Sequence, residues 1–461
     1  MSNYAYLLKE LALMPGRFKR AAAAMAAVCL GLSLSSCTLT GFTVEGALSA
    51  PKLSAQQSKI NKALIESVGG NITLKYPRNG DNRSAYVIAN VDDEPDNEAL
   101  VFYEYTTLIN GTEGIRINLL DTDEKGEWYS VKELAGAGSD VDRVMISYEG
   151  GSDIANIVVG YQNIGISDKM LEIYRYKDKS FERIGQNNYS LLEAADLDGD
   201  GYKNFVTVNT EVDDNGSQTG ASASLIRLKN NEIKTEYTIS LCDNTLEYLK
   251  STVGRLGDNS YAIYVDGTNS KGELQTDVLF YRYGALQDPI AQRQSKLAPL
   301  TTRPSGYYCS DIDDDGKVEI PHTNVMRGYE SSPAEERLYK TDWLCYEDFY
   351  RLETKYSGFY SVSDGYFFDF LQRWGNDVTV RKDAVTGEYV FYRYGGDINA
   401  DMTELMRIAA QSKNDSGKYI DEGYSLISSV GQIDFLVKLP TISREALVPT
   451  LDEVKNSFYI L

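Results

Sequence analysis

Short apolar segments, each preceded by an acidic turn, recur along the middle of the chain. The two clearest copies cover residues 196–208 and 311–320, and a degraded copy covers 90–103. Two further copies, 148–159 and 254–265, keep the apolar segment but lose most of the acids. The five copies begin at spacings of 58, 48, 58 and 57 residues. Regular spacing of turn-bounded apolar segments predicts a repeat architecture, in particular a β-propeller.

The stretches between the acidic turns also predict strands. Residues 171–176, 224–228 and 278–283 are strand-like segments bounded by turn residues, whereas helical periodicity is scarce in this region. Four short strands and their turns need roughly 40 to 50 residues in a propeller blade. We therefore expect a mainly β chain with a β-propeller over residues 75–365. Five blades are detectable, and six or seven are possible if others have diverged.

The pattern changes on both sides of the repeats. Residues 37–74 are expected to form a linker and a short helix over 54–67, because Ser54 and Gln57 make a capping-box pattern. Residues 366–461 are expected to form a small α+β domain, whose last helix begins at a second capping box, Thr450 to Glu453. The predicted strands of this domain are 378–380, 388–393, 424–427 and 431–438. Residues 404–411 fit either a strand or a helix.

The acidic turns carry candidate ligands for a hard cation. Calcium takes six to eight oxygen ligands, and carboxylates at turn positions 1, 3 and 5 can surround one ion if a glycine at position 6 turns the chain. The two intact turns supply these positions as Asp196, Asp198 and Asp200 before Gly201, and as Asp311, Asp313 and Asp315 before Gly316. An EF-hand would need a glutamate at position 12, where this chain has Thr207 and His322. A metal-free turn rich in aspartate is the alternative.

With these residues the chain resembles the FG-GAP/VCBS-type propellers, the group that includes the heads of integrin α-subunits. The resemblance covers about residues 75–365, and the whole chain resembles VCBS repeat-containing bacterial lipoproteins. It implies turns of the form D-x-[DN]-x-D-G-x-x-[DN], closed at position 9, where Asn204 and Glu319 stand. It thus implies a structural calcium ion in each intact turn. The first copy offers a weaker set because Pro95 replaces the glycine; its candidate ligands are Asn90, Asp92, Glu94 and Glu98.

The N-terminus predicts export and lipid anchoring. A basic cluster at 17–20 precedes an apolar run of 14 residues, 21–34, which is short of the roughly 20 that a membrane-spanning helix needs. The run ends in Leu-Ser-Ser-Cys37, which resembles the bacterial lipoprotein signal. The resemblance implies that residues 1–36 are removed and that lipid on Cys37 holds the protein on the extracytoplasmic face of the cell membrane.

Composition excludes several partners and chemistries. A formal net charge of −21 argues against nucleic acid and anionic membrane surfaces, and favours cations, neutral glycans or basic protein surfaces. The single histidine, His322, argues against most serine and cysteine hydrolases and most catalytic zinc sites. Besides Cys29 in the signal and Cys37, three widely spaced cysteines remain, which favours buried thiols and leaves one pairing open. These are Cys242, Cys309 and Cys345.

These features favour a cell-surface binding or scaffold protein with a calcium-stabilised propeller, whose protein or glycan ligand the sequence does not identify. No catalytic residue is assigned, and an enzyme is not expected. Two alternatives remain open. A glycoside hydrolase needs only a suitably spaced pair of carboxylates, and the chain is rich in acids. A component of envelope assembly or signalling would depend on the C-terminal domain.

Overall fold

The structure, a computed structural model, describes residues 53–461 with ten short gaps. The gaps are 107–113, 149–151, 164–168, 213–217, 230–231, 243–244, 257–259, 292–296, 350 and 442–444. The predicted signal peptide, 1–36, the predicted lipidation site Cys37 and most of the linker lie outside the described residues. The chain divides into two compact units, Met1–Ser58 and Lys59–Leu461, and only residues 53–58 of the first are described.

The first helix, α1, spans Ala55–Val68 and confirms the helix predicted over 54–67. Its capping box is present: the backbone N–H of Gln57 donates to Ser54 Oγ at 3.1 Å, and the Ser54 N–H donates to Gln57 Oε1 at 3.0 Å. These two bonds satisfy donors that a helix start leaves unpaired. Ile60 and Leu64 are fully buried against the first β-sheet.

Antiparallel sheets follow α1, each formed mainly by consecutive strands. In the first sheet, β1 and β2 both pair with β3, and β4 and β5 extend it; the second and third sheets have four strands each in chain order. The strands are β1 Ile72–Leu74, β2 Tyr86–Ala89, β3 Glu98–Tyr105, β4 Arg116–Thr122, β5 Trp128–Ala135; β6 Asp140–Tyr148, β7 Ala155–Gln162, β8 Lys169–Lys177, β9 Ser180–Tyr189; and β10 Leu191–Ala195, β11 Asn204–Val212, β12 Gln218–Lys229, β13 Glu232–Ser240.

The fourth sheet also has four strands in chain order, while the fifth and sixth have five each. A short helix, α2 Ala298–Thr301, lies between the fourth and fifth sheets, and α3 Ser416–Asp421 and α4 Leu451–Asn456 follow later. The strands are β14 Thr245–Arg255, β15 Tyr261–Asn269, β16 Leu274–Arg282, β17 Ala285–Gln287; β18 Glu319–Val325, β19 Tyr339–Tyr346, β20 Leu352–Ser361, β21 Tyr366–Asp369, β27 Phe458–Ile460; and β22 Val378–Lys382, β23 Tyr389–Arg393, β24 Thr403–Ser412, β25 Ser425–Val430, β26 Ile433–Lys438.

The predicted repeats lie in five successive sheets, before an inner strand in each of the first four and before the edge strand in the fifth. Each acidic or degraded turn ends where the strand that follows it begins, and these strands are β3, β7, β11, β15 and β18. Buried apolar clusters join the first sheet to the second, the second to the third, and so on to the sixth. The chain is therefore mainly β, built from several antiparallel sheets that pack in succession, which is consistent with a propeller-like fold.

The C-terminal region is linked to the fifth sheet by its last strand. Strand β27 pairs with β21, and β21 in turn pairs with β20, so the predicted boundary between residues 365 and 366 lies between two paired strands. The four strands predicted after residue 366 are present as β22, β23, β25 and β26, and the ambiguous stretch 404–411 belongs to β24. The predicted capping box opens α4: the N–H of Glu453 donates to Thr450 Oγ1 at 3.2 Å.

Cys242, Cys309 and Cys345 are free and buried, as the favoured interpretation of the sequence predicted. His322 is half-buried on β18, where its Nδ1 lies 3.0 Å from the carbonyl oxygen of Leu300. Among the described residues, no helix has both the length and the hydropathy needed to cross a membrane.

A buried carboxyl pair, Asp277 and Asp288, lies in the fourth sheet region. Asp277 is fully buried and accepts hydrogen bonds from the Cys242 N–H at 3.1 Å and the Tyr248 hydroxyl at 3.0 Å. Burial, and then the negative charge of Asp277, raise the pKa of Asp288 well above its ordinary value. Asp288 Oδ2 has no hydrogen-bond partner, which a proton shared with Asp277 would supply. At a pH between the ordinary pKa of an aspartate and the raised pKa of Asp288, we therefore expect the folded protein to hold a proton here that the unfolded chain releases.

The Asp288→Asn variant should lose this pH dependence. Because the pKa of Asp288 is raised on folding, its stabilising contribution is complete below the unfolded pKa of about 3.9 and is lost as pH rises through the folded pKa. The free energy of unfolding, measured by urea titration at a series of pH values above 4, should fall more steeply with pH in the wild type. The difference in slope is at most about 1.4 kcal/mol per pH unit.

The control is Asp123→Asn, at an exposed turn, where backbone N–H groups of Glu127 and Lys125 lower the pKa of Asp123. A lowered pKa affects stability only in more acidic solution, so this variant should keep the wild-type slope. Equal slopes for Asp288→Asn and wild type would contradict the shared proton.

Candidate functional site

The three acid-bearing turns share a hydrogen bond that closes the turn. We call them the first-sheet loop (90–98), the third-sheet loop (196–204) and the fifth-sheet loop (311–319). In each, the side chain at position 9 is buried at the start of a strand and accepts the backbone N–H of position 2, at 2.7–3.0 Å. The position 9 residues are Glu98, Asn204 and Glu319. One side-chain oxygen of each of these residues is therefore already used in a hydrogen bond within the loop.

Positions 1 and 6 form the turn that the sequence predicted. Asp196 accepts the N–H of Gly201 at 2.9 Å, and Asp311 accepts the N–H of Gly316 at 2.7 Å. The two glycines have φ values of +89° and +85°, in the left-handed region that other residues avoid. In the first-sheet loop Pro95 has no N–H to donate; Asn90 Nδ2 instead donates to the Glu94 carbonyl at 2.7 Å.

The third-sheet loop keeps oxygen atoms suitable for a cation. Carboxylate oxygens of Asp196, Asp198 and Asp200 lie within 4.8 Å of one another. Arg227, on β12, donates to Asp198 Oδ2 at 2.7 Å, while Asp198 Oδ1 is buried without a hydrogen-bond partner. Both oxygens of Asp196 accept backbone N–H groups, from Gly199 at 2.8 Å and Gly201 at 2.9 Å. The orphaned, buried oxygen of Asp198 nevertheless fits a divalent cation. Asp196, Asp198 and Asp200 would hold the ion, with Asn204 closing the loop.

The fifth-sheet loop contains a lysine ammonium. Oxygens of Asp311, Asp313 and Asp315 also lie within 4.8 Å of one another. However, the Lys355 Nζ, on β20, forms ion pairs at 2.8–2.9 Å with three carboxylates, those of Asp313, Asp315 and Glu319. Burial alone would lower the pKa of Lys355, but the three carboxylates outweigh it and raise the pKa. The lysine therefore stays charged.

The first-sheet loop holds its weaker ligand set in a more buried environment. Asp92 and Glu98 are buried, and Asp92 Oδ1 accepts the N–H of Glu94 at 2.9 Å. Burial first, and then the nearby charges of Asp92 and Asp121, raise the pKa of Glu98 to about 7. The carboxylates of this loop thus stand close together without a paired cation among the described residues.

The loops also join neighbouring sheets through their backbones. The Val91 carbonyl accepts the N–H of Ala155 in the second sheet at 3.1 Å. The Asp196 carbonyl accepts the N–H of Tyr261 in the fourth sheet at 3.1 Å, and the Gly316 carbonyl accepts that of Arg255 at 2.7 Å. These contacts give the acidic loops a structural role between sheets.

A separate cavity of about 980 Å³ opens beside the third-sheet loop, and we call it the charged cavity. Its walls come largely from β6, β10 and β14, which are the edge strands of three successive sheets, together with the segment 79–83. Nine charged side chains line it: Arg83, Arg143, Lys169, Lys203 and Lys250, and Asp81, Asp142, Glu193 and Asp196. The cavity thus has one more positive than negative charge, in a chain whose net charge is −21.

Two of the cavity's acids are held by neighbouring side chains. The buried Asp142 accepts Lys169 Nζ at 3.0 Å and the Tyr189 hydroxyl at 2.7 Å. Burial would raise the pKa of Asp142, but the Lys169 charge and the hydrogen bonds outweigh it and lower the pKa. Glu193 Oε2 accepts the Ser251 hydroxyl at 2.6 Å and Arg143 Nη1 at 3.3 Å.

Three of the cations have no carboxylate partner. Within the described part of the chain, Arg83, Lys203 and Lys250 form no ion pair. Lys250 only approaches the Cys309 carbonyl at 3.4 Å and the ring of Tyr308. Sequence reasoning missed this site, because its charged residues come from separate strands and no local motif links them.

Comparison with known proteins leaves the family open. No family model matches the chain, and no curated protein matches it. Solved structures to which the chain is similar include rhamnogalacturonan lyase YesW, at 11% identity and a TM-score of 0.28, covering 72% of this chain and 76% of that one. A candidate 6-phosphogluconolactonase from Bacteroides uniformis has 11% identity and a TM-score of 0.30, covering 72% and 94%. A rhamnogalacturonan lyase from Bacillus licheniformis has 11% identity and a TM-score of 0.28, covering 70% and 75%.

Proposed function

We propose that this chain is an exported, lipid-anchored binding protein that holds a small organic anion, of the class of carboxylated sugars, in the charged cavity. The observation that supports the proposal best is the cavity itself. Its volume of about 980 Å³ lies at the upper end of the range of roughly 300–1,000 Å³ for small-molecule sites. Edge strands of rigid sheets form its walls, which suits a preformed site.

The charge distribution favours an anion as the ligand. Two of the cavity's four acids, Asp142 and Glu193, already accept hydrogen bonds from neighbouring side chains. Three of its five cations, Arg83, Lys203 and Lys250, have no ion-pair partner among the described residues. A bound carboxylate would satisfy these cations through charge-assisted hydrogen bonds. The negative net charge of the whole chain favours neutral or cationic ligands. The excess of cations in the cavity favours an anionic ligand at this one place.

The rest of the lining suits a ligand with a ring or an apolar part. Tyr261 and Leu249 contribute partly exposed side chains to the cavity, and Ser190 and Ser251 supply hydroxyl groups nearby. Aromatic and aliphatic faces beside a few polar groups are typical of small-molecule sites. A carboxylated sugar has both an anionic group and a ring with polar and apolar faces.

The finer features remain part of this proposal. We infer a propeller of the FG-GAP/VCBS type, whose sheets are joined by the acidic loops, with calcium at the third-sheet loop and a lipid on Cys37 at the extracytoplasmic face of the membrane. The loops' contacts with neighbouring sheets support a structural rather than catalytic role for such an ion. For a glycoside hydrolase, the lowered pKa of Asp142 is opposite to what a general acid needs.

Binding can be tested with a matched pair of probes. Oligomers of galacturonic acid and the corresponding neutral galactose oligomers differ in a carboxylate at each sugar. The mature soluble protein should bind the acidic oligomer in calorimetry, more weakly as salt rises. The Lys203→Gln/Lys250→Gln variant changes two exposed side chains and should weaken that binding by about tenfold or more, because a charge-assisted hydrogen bond contributes about 1.5–3 kcal/mol.

The control is Lys177→Gln/Lys413→Gln, which removes the same charge from two exposed lysines outside the cavity. It should bind like the wild type. If the neutral oligomer binds equally well, the protein does not select an anion, although it still has a binding site for sugars. Absence of binding to either oligomer at about 10 mM, tenfold above a Kd of about 1 mM, would contradict the proposed ligand class.

A further inference from the structure

Lys355 occupies the centre of the fifth-sheet loop. Its Nζ donates hydrogen bonds of 2.8–3.0 Å to three carboxylates at loop positions 3, 5 and 9, those of Asp313, Asp315 and Glu319. An ammonium has three N–H donors and no acceptor. All three donors can therefore be satisfied by these carboxylates, from a side chain that is only 20% exposed.

The carboxylate oxygens at the loop's candidate ligand positions, 1, 3, 5 and 9, are all engaged in hydrogen bonds. Asp311 accepts the N–H groups of Asp315 at 3.1 Å and Gly316 at 2.7 Å. The second oxygen of Asp313 accepts the Tyr356 hydroxyl at 2.6 Å. The remaining oxygens of Asp315 and Glu319 accept backbone N–H groups, from Lys317 at 2.8 Å and Ile312 at 3.0 Å. Each of the four carboxylates at the loop's candidate ligand positions, 1, 3, 5 and 9, thus has both of its oxygens in a hydrogen bond.

This arrangement does not fit a calcium ion. Calcium needs six to eight oxygen ligands at about 2.3–2.6 Å, and the ammonium contacts three of the carboxylates that would have to provide them. The third-sheet loop differs at the same point. Its cationic neighbour, Arg227, reaches only Asp198 within the loop and also pairs with Glu236, outside it. Asp198 Oδ1 stays without a partner.

Burial of a carboxylate favours a cation in the fifth-sheet loop, whereas at the equally buried Glu98 of the first-sheet loop it raises the pKa to about 7. The Glu319 side chain is fully buried, and a buried carboxylate is costly unless it is paired. The third-sheet loop has the neutral Asn204 at the equivalent position. Position 9 therefore carries an extra negative charge in the fifth-sheet loop, where Lys355 compensates it.

We propose that the Lys355 ammonium is the resident cation of the fifth-sheet loop and replaces a divalent ion there. This departs from the expectation of calcium in both intact loops. It means that the fifth-sheet loop, which joins the fourth and fifth sheets, is stable without metal. It also means that removal of the lysine side chain would leave a set of carboxylates able to accept calcium.

The number of calcium ions bound per chain tests whether Lys355 excludes a divalent ion from the fifth-sheet loop. Equilibrium dialysis with calcium should give the same number of bound ions per chain for the wild type and for Asp313→Asn. Asp198→Asn in the third-sheet loop serves as the matched comparison, since it changes the same loop position. A loss of one bound ion in Asp313→Asn would overturn the proposal.

Melting temperatures test whether the fifth-sheet loop can accept calcium once the lysine is removed. The measurements use an Asp198→Asn background, which removes any calcium binding at the third-sheet loop. This background should melt at the same temperature in chelator and in calcium. Adding Lys355→Met should lower the melting temperature in chelator, and calcium should restore it in part.

The control is Lys355→Arg in the same background, which keeps the positive charge. Its melting temperature should change little when calcium is added. A Lys355→Met protein whose melting temperature is unchanged by calcium would refute the replacement, and one that folds only when calcium is present would support it.

Discussion

Replacement of Arg303 by methionine is expected to lower the free energy of unfolding by about 3–5 kcal/mol, the cost of breaking a buried ion pair. The Arg303 side chain is fully buried and its Nη2 donates to Asp266 Oδ1 at 2.7 Å; Asp266 is 1% exposed. Methionine fills much of the space but leaves the Asp266 carboxylate buried without its counter-charge. An unpaired buried charge is among the few causes of so large a loss.

The pair is part of a network that links two sheets. Asp266 lies on β15 of the fourth sheet, and its Oδ2 accepts the N–H of Cys309, just before the fifth-sheet loop, at 2.8 Å. The other Arg303 donors are satisfied by Tyr307 O at 2.6 Å, Thr276 Oγ1 at 2.7 Å and Thr301 O at 2.5 Å. Loss of the guanidinium therefore removes bonds to the fourth sheet and to the segment that enters the fifth.

Urea denaturation followed by circular dichroism measures this effect. The double variant Arg303→Met/Asp266→Leu should be less destabilised than the single variant, because it leaves no unpaired charge. Lys62→Met, which removes one partner of an exposed ion pair on α1, should cause no measurable change. A loss below about 1 kcal/mol for Arg303→Met, the range of exposed pairs, would show that the network contributes little.

Local features were predictable from the sequence because neighbouring residues determine them. The capping boxes at Ser54 and Thr450 involve residues three apart, and both are present. The turns at Gly201 and Gly316 follow from a positive φ that glycine adopts at little cost. Apolar segments bounded by turn residues likewise identified strands such as β8, β12 and β16. The same pattern could not decide residues 404–411, which belong to β24.

Long-range pairing was not predictable in this way. Lys355 is 36 residues after Glu319, and a single lysine in a strand is indistinguishable by sequence from a solvated one. The three-residue strand β27 pairs with β21 from the far end of the chain, which no local pattern indicates. The charged cavity combines residues from several sheets, and a net charge averaged over the chain conceals a local excess of cations.

Replacement of Cys37 by alanine is expected to remove all lipid from the protein, which would then be recovered either in the soluble fraction or as an unprocessed precursor. The lipoprotein signal resemblance requires a cysteine directly after the cleavage site, because the lipid is attached to its sulfur. Several acyl chains hold a protein on a membrane, since each buried CH₂ contributes about 0.8 kcal/mol. The apolar run 21–34 has 14 residues and is too short to replace that anchor by spanning the bilayer.

Expression in a bacterial host with radiolabelled palmitate, followed by membrane fractionation and intact mass measurement, checks this prediction. The wild type should carry the label, lack residues 1–36 and stay with the membranes. Cys29→Ala provides a matched control, because Cys29 lies in the same apolar run but eight residues before Cys37; it should be processed and labelled like the wild type. If Cys37→Ala is still cleaved after Ser36 and remains in the membrane fraction, then neither the lipid nor the resemblance accounts for its location, and a protein contact must anchor it.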